Sequence, residues 1–377
     1  MRSVLTLILL AGIATAQEPK KAEPKKKADP KTPAQAAESA VAYLKTTQAA
    51  DGSWGGAAAS GMTGLVVTAL IQGGGLTADD PAVAKALKFI EGLVDAKEGH
   101  IAGAQAKIGQ FNYPTCANLM ALSAADPERK KYGTIIDNAS ALLRKIQWDE
   151  SEGKKPSDVI YGGAGYGGGT RPDLSNTHFY LDALVAAKVP TSDPAFAKAL
   201  IFISRCQNLK SEFQDQPWAG KINDGSFIYT AAGETRGATE DDGTKPGYGS
   251  MTFAGLKCLL ISGIGKDDVR VKGAIDWLAK HYTVDINPGM APGSGGRGLY
   301  YYLLVMSKCL TVNGTDMFTT ADGVKHDWRK DVTQSLLTRQ RKDGSWENDT
   351  AAWMETNPDL CTAYALLALH YVKTAAK

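Results

Sequence analysis

Paired cysteines, a charge surplus of either sign and a long apolar run are all missing from this sequence of 377 residues. Its five cysteines are Cys116, Cys206, Cys258, Cys309 and Cys361. The number is odd and none sits in a paired spacing, which excludes a disulfide-stapled secreted scaffold. Their apolar surroundings predict small buried hydrophobes. The 42 basic and 40 acidic residues leave a net charge of +2. Residues 1–32 carry +4, so the rest of the chain stands at −2. A domain this close to neutral lacks the electrostatic footprint of a nucleic-acid binder. The apolar run from Val4 to Ile13 is about half of the roughly 20 residues a membrane-spanning helix needs.

That run follows Arg2 and precedes Ala14-Thr15-Ala16. A positive start, an apolar stretch and a small-x-small site read as a secretory signal peptide over residues 1–16. Export to the periplasm or the exterior is expected, with cleavage near Ala16 leaving Gln17 first. Residues 17–32 are dominated by lysine, proline and alanine and hold no large apolar side chain. Such a segment cannot bury enough surface to offset its ordering entropy, and a disordered spacer is expected. Its lysines also suit contact with an anionic membrane surface. Residues 33–377 form the folded part, with room for one large domain or two small ones.

What the folded part has is an internal repeat. Six segments are nearly free of charge, beginning at Met62, Tyr113, Leu174, Tyr248, Gly298 and Leu360. Each is long enough for three or four helical turns and apolar around most of its circumference, as a helix buried on all sides must be. Amphipathic charged segments lie between them. Four of these end with an apolar residue four positions before a glutamine: Leu44 and Gln48, Leu143 and Gln147, Ile203 and Gln207, Leu336 and Gln340. Two continue as Asp-Gly-Ser-Trp, ending at Trp54 and Trp346, and a third as Asp-Gly-Ser-Phe, ending at Phe227. Asp-Gly-Ser favours a tight turn. The aromatic is then expected to seal the corner beneath the next helix, and the glutamine to satisfy free backbone groups at the end of its own helix. Outer and inner helices alternating six times close into an all-α (α/α)6 toroid, with the N-termini of the inner helices meeting at one mouth.

These units, the glutamine before them and the alternating helices resemble the repeat family of squalene and oxidosqualene cyclases and protein prenyltransferase β subunits. The resemblance runs from Pro33 to Lys377 and implies a terpenoid cyclase-like toroid. The stretch from Arg171 to Leu184 is similar to the acid motif Asp-x-Asp-Asp-Thr of squalene-hopene cyclases. Asp173 matches its first aspartate and Thr177 its threonine, while Ser175 stands in place of the proton donor and Asn176 in place of the last aspartate. A serine hydroxyl is too weak an acid to protonate an alkene, so the motif is degenerate and no polyene cyclisation is expected. Asp359-Leu360-Cys361 spells the Asp-x-Cys of prenyltransferase zinc sites, but the histidine at an inner-helix mouth, His178, lies on the opposed third helix. Zinc ligands must lie within about 2.0–2.3 Å of one ion, so neither metal nor cofactor is expected. The Cys-Gly-Glu-Gln stretch of complement-like thioester domains is absent.

Function in such a ring belongs at the mouth. Asp173, Asn176 and His178 are the catalytic candidates, with His178 best suited to exchange a proton near neutral pH and Asp173 placed to orient it. Tyr113, Tyr248, Tyr300, Tyr301, Asp359 and Cys361 are the candidates for binding a substrate. Other readings stay open: Asp173 and Asp359 as helix N-caps, His178 as a packed core histidine, and Glu240-Asp241-Asp242 as a solvated loop or a catalytic pair. Tyr300, Tyr301 and Tyr302 are consecutive, so they cannot all face one cavity. Three functions follow: an isoprenoid enzyme, a non-catalytic toroid holding a hydrophobic small molecule, peptide or protein, or a carbohydrate-active enzyme with two carboxylates.

Overall fold

In the computed structural model, residues 32–167, 169–216, 218–233 and 244–373 are described. The signal peptide, the spacer through Lys31 and the run from Glu240 to Asp242 lie outside them. Proline and aspartate open the outer helices. Helices α1 (Pro33–Thr47), α3 (Pro81–Glu91) and α7 (Pro194–Arg205) start with proline in the first turn, where its missing N–H is no loss. The side chains of Thr32, Asp80 and Asp193 cap them. Asp268 and Asp327 do the same for α10 (Val269–Lys280) and α12 (Trp328–Arg339). Helix α5 (Gly133–Lys145) completes the outer set, and α8 is a four-residue turn at Ala219–Ile222.

The six charge-poor segments form the inner helices: α2 (Ala59–Gln72), α4 (Asn112–Ala125), α6 (Leu174–Ala186), α9 (Gly249–Ile261), α11 (Leu299–Val312) and α13 (Pro358–Lys373). They pack in the order α2, α4, α6, α9, α11, α13 and back to α2, so the ring is closed. Helix α1 lies against α12 and α13, joining the start of the ring to its end. Two-residue strands, β1 (Phe318–Thr319) and β2 (Lys325–His326), pair antiparallel in a loop. The fold is the all-α toroid that the alternation predicts. Among the described residues no helix is long and apolar enough to cross a membrane.

The glutamines do more than the sequence suggests. Gln48 Nε2 donates to the Gly52 carbonyl at 3.0 Å and to the Ala82 carbonyl of α3 at 2.8 Å. Gln207 bridges Gly225 and Arg270 in the same way, and Gln340 bridges Gly344 and Ala36. Each ties its turn to the first turn of the next outer helix rather than to the end of its own, and Gln340 thereby locks α12 to α1. Gln147 completes the set, donating to Gly162 and Ala195. Its turn escapes sequence reading because residues 149–160 separate it from the glutamine. At Gly344, φ is +90° and an added Cβ would lie 2.3 Å from the Ser39 carbonyl oxygen, so only glycine fits.

Trp54 and Trp346 are fully buried, and their indole N–H groups donate to the Leu44 and Leu336 carbonyls at 2.8 and 2.9 Å. At five of the six corners a backbone N–H donates to a threonine one turn into the next inner helix: Trp54 to Thr63, Ile101 to Thr115, Ala164 to Thr177, Phe227 to Thr252 and Trp346 to Thr362. Thr177 is therefore a member of this repeat, which accounts for its match to the acid motif without any chemical role.

Candidate functional site

The N-terminal halves of the inner helices surround a cavity of about 650 Å³. Aromatic side chains dominate its wall: Tyr113, Tyr166, Phe179, Tyr229, Tyr248, Tyr301, Trp353 and Tyr364. Met62, Leu65, Met251 and Leu360 add aliphatic surface, and Glu355 is the one carboxylate among the described lining residues.

Glu355 is fully buried and has a structural task. Helix α11 follows Gly298, which offers no capping side chain. Glu355 supplies the cap from another segment, accepting the Tyr301 N–H at 2.8 Å, the Tyr300 N–H at 3.3 Å and the Asn348 amide at 2.6 Å. Burial raises its pKa, against the lowering effect of those donors. Just before it, Trp353 and Met354 take φ of +56° and +64°, a left-handed conformation that is unusual for large side chains. The Trp353 ring stacks on Tyr248 at 6.3 Å and fills the space a Cβ on Gly298 would need. Neither Glu355 nor Trp353 was singled out by the sequence reading, since both belong to an irregular loop outside the repeat.

Of the sequence candidates, Tyr113, Tyr248 and Tyr301 line the cavity. The others lie elsewhere. Tyr300 turns outward, its hydroxyl donating to the Glu347 carbonyl at 3.4 Å, and Tyr302 reaches the Thr283 carbonyl. Asp359 faces the outer layer, accepting from the Thr47 hydroxyl at 2.7 Å. It is not the N-cap of α13, because Asn357 receives the first N–H groups. Burial raises the pKa of Asp359. The Cys361 thiol donates to the Glu355 carbonyl in the core. Helices α6 and α13 stand opposite each other in the ring order, so His178 and Cys361 belong to different walls. Among the described residues no group of three or more histidine, cysteine, aspartate or glutamate side chains has metal-binding spacing.

Asp173 caps α6, accepting the Asn176 N–H and side-chain amide, both at 2.8 Å. Asn176 in turn accepts from the Asn112 amide. Asp173 is only 2% exposed. Burial pushes its pKa up to about 6 despite hydrogen bonds from Asn176 and the Tyr229 hydroxyl. Both acceptor oxygens are thus committed, and Asp173 does not orient His178.

The carboxylate beside His178 is Asp182, one turn further down the same helix. Ser175, His178 and Asp182 are spaced i, i+3, i+7, which aligns them down one face of α6, and that face looks toward the ring axis. Tyr113 Oη donates to Ser175 Oγ at 2.6 Å. Ser175 Oγ lies 3.4 Å from Tyr301 Oη, which lies 3.3 Å from His178 Nδ1. His178 Nε2 lies 3.3 Å from Asp182 Oδ2, an ion-pair distance without hydrogen-bond geometry, and makes no hydrogen bond among the described residues. Two lysines flank that carboxylate: Lys257 of α9 at 2.6 Å and Lys308 of α11 at 2.8 Å. They hold Asp182 ionised against the desolvation that would raise its pKa, so that its pKa falls well below the usual carboxylate range. Burial pulls Lys257 down to about 8, opposed by Asp182. Burial, together with both lysines, keeps His178 well below its ordinary value. It is therefore neutral near pH 7 rather than titrating there as the sequence suggests. Asp182, Lys257 and Lys308 were missed, yet a signal existed: each is the one charge inside its otherwise uncharged inner helix.

No protein-family model matches the chain, and no curated protein matches its sequence. Solved structures do match in shape. A variant of the type II terpene cyclase MstE from Scytonema, in complex with its substrate geranylgeranyl dihydroxybenzoate, superposes with a TM-score of 0.55 at 13% identity, covering 90% of this chain and 97% of that one. The GH76A α-1,6-mannanase from a Salegentibacter species gives 0.55 at 11%, covering 90% and 100%. A glycosyl hydrolase of family 88 from Bacteroides vulgatus gives 0.52 at 10%, covering 90% and 99%. At these identities the likeness establishes an α/α toroid and leaves the activity open.

Proposed function

We propose that this toroid holds an elongated apolar small molecule of the isoprenoid class in the cavity at the inner-helix N-termini. The observation that carries the reading is the wall: eight aromatic side chains around about 650 Å³, with one carboxylate whose oxygens are engaged in capping α11. That volume falls within the roughly 300–1,000 Å³ of small-molecule sites, which are mostly apolar with a few placed polar groups. A glycan-cleaving site would need two carboxylates about 5–9.5 Å apart, and Glu355 has no second carboxylate beside it among the described lining residues. Ser175 occupies the place of the cyclase proton donor and spends its hydroxyl on Tyr113 and Tyr301, so the reading is of binding and not of alkene protonation. The prenylated substrate of the cyclase neighbour supports an isoprenoid as the ligand class.

Titration with geranylgeraniol and with a mannose oligosaccharide, followed by tryptophan fluorescence, tests this. Saturable quenching by the prenyl alcohol alone is expected, and it should vanish in Trp353→Phe because Trp353 is the tryptophan on the wall. Saturation by the oligosaccharide alone would overturn the proposal.

A further inference from the structure

Beneath the aromatic wall, the column Tyr113–Ser175–Tyr301–His178–Asp182 runs from the cavity into the ring. Its far end fixes the direction of every proton in it. Asp182, held ionised between Lys257 and Lys308 at 2.6 and 2.8 Å, can only accept. The neutral His178 ring has one N–H, and electrostatics puts it on Nε2: that nitrogen makes no hydrogen bond among the described residues but lies 3.3 Å from the ionised carboxylate, which attracts an N–H and repels a lone pair. Nδ1 is then an acceptor and takes the Tyr301 hydroxyl proton across 3.3 Å. Tyr301 Oη, its proton spent, accepts from Ser175 across 3.4 Å. Ser175, its own proton spent, accepts from Tyr113 across 2.6 Å. Each donor points away from the cavity, and what remains exposed to a ligand is lone pairs.

We infer that the corner formed by Tyr113, Ser175 and Tyr301 accepts hydrogen bonds and offers none, so the ligand ends there in a neutral O–H donor, an alcohol, rather than in a carbonyl. This deepens the proposed function and rests on it: the chain of the ligand lies on the aromatic wall and its hydroxyl on this corner. His178 is a positioning residue here, acting through Tyr301. The specificity arises because a buried acceptor left without its donor loses its hydrogen bond to water without replacement.

Three ligands of one chain decide the matter: geranylgeraniol, its methyl ether and geranylgeranial, each titrated into the full chain. The expected result is that the alcohol binds about tenfold more tightly than the ether, the gain of about one buried hydrogen bond, with the aldehyde no better than the ether. Tyr301→Phe cuts the column and frees the Ser175 proton to point into the cavity. In that variant the aldehyde should gain affinity and the preference for the alcohol should shrink, a change that a purely structural role for Tyr301 would not produce. Equal binding of all three by the unaltered protein, or an aldehyde preference, would overturn the inference and leave the apolar reading standing. Failure of all three to bind would overturn the apolar reading itself. The comparison on the unaltered protein needs no variant, so it decides even if Tyr301→Phe does not fold.

Discussion

The least expected residues are the charged ones inside the ring. Asp182 and Lys257 are at most 8% exposed, and ions so buried are tolerated only when paired. Their arrangement sets a polarity that apolar side chains could not. Asp173 is a second buried carboxylate, with a different consequence. Its pKa is raised from 3.8 to about 6. A raised folded pKa favours the folded state in full below the unfolded value, near pH 4, and that contribution is lost as pH rises to about 6. The shift amounts to roughly 3 kcal/mol. His178, held low, acts with the opposite sign, costing stability as pH falls below about 6.5. Comparing Asp173→Asn with the unaltered protein isolates the first effect, since both contain His178. Denaturant unfolding at pH 4 and pH 7 should show the variant gaining about 2 kcal/mol, relative to the unaltered protein, at the higher pH, because the full shift is present only well below the unfolded pKa. A pH-independent difference would contradict the assignment.

At the scale of elements, the repeat was readable because its determinants are local. In two units the glutamine, the Asp-Gly-Ser turn and the aromatic lie within seven residues, Gln48 to Trp54 and Gln340 to Trp346, less than two helical turns' worth of chain. The aspartates of the turns bond the serine N–H two residues on, as at Asp51, Asp224 and Asp343. The partner of each glutamine in the next outer helix was not readable, because Ala36 and Gln340 meet only when the ring closes. Corner sealing makes a graded prediction. Trp54→Ala and Trp346→Ala should each lower stability by about 3–5 kcal/mol. Trp54→Phe should cost only about 1 kcal/mol for the lost indole bond plus a small packing term, since Phe227 fills the equivalent corner elsewhere. Equal losses for Trp54→Phe and Trp54→Ala in denaturant unfolding would show that ring volume is not what seals the corner.

At the scale of the whole molecule, the ring brings together groups that the sequence keeps far apart. Tyr301 and Ser175 meet 126 residues apart, and Glu355 caps a helix that begins 56 residues before it in the chain. That is why the fold was legible and the site was legible only in its aromatic residues: Tyr113, Tyr248 and Tyr301 were found from their positions at inner-helix starts, while the ionic cluster and the Glu355 loop depend on closure. If the mouth of the ring is a chamber for an apolar ligand, as proposed, a side chain that fills it must exclude that ligand. Gly61 of α2 lines that chamber, and a Cβ there would have its nearest neighbour at 3.6 Å, in Pro114. Gly61→Phe therefore fills the cavity from a position with room for the first carbon. Native mass spectrometry of both proteins after incubation with a total lipid extract is the most direct test. One apolar small molecule bound one-to-one to the unaltered protein and absent from Gly61→Phe is the expected result; no adduct on either protein, or the same adduct on both, would contradict an apolar chamber.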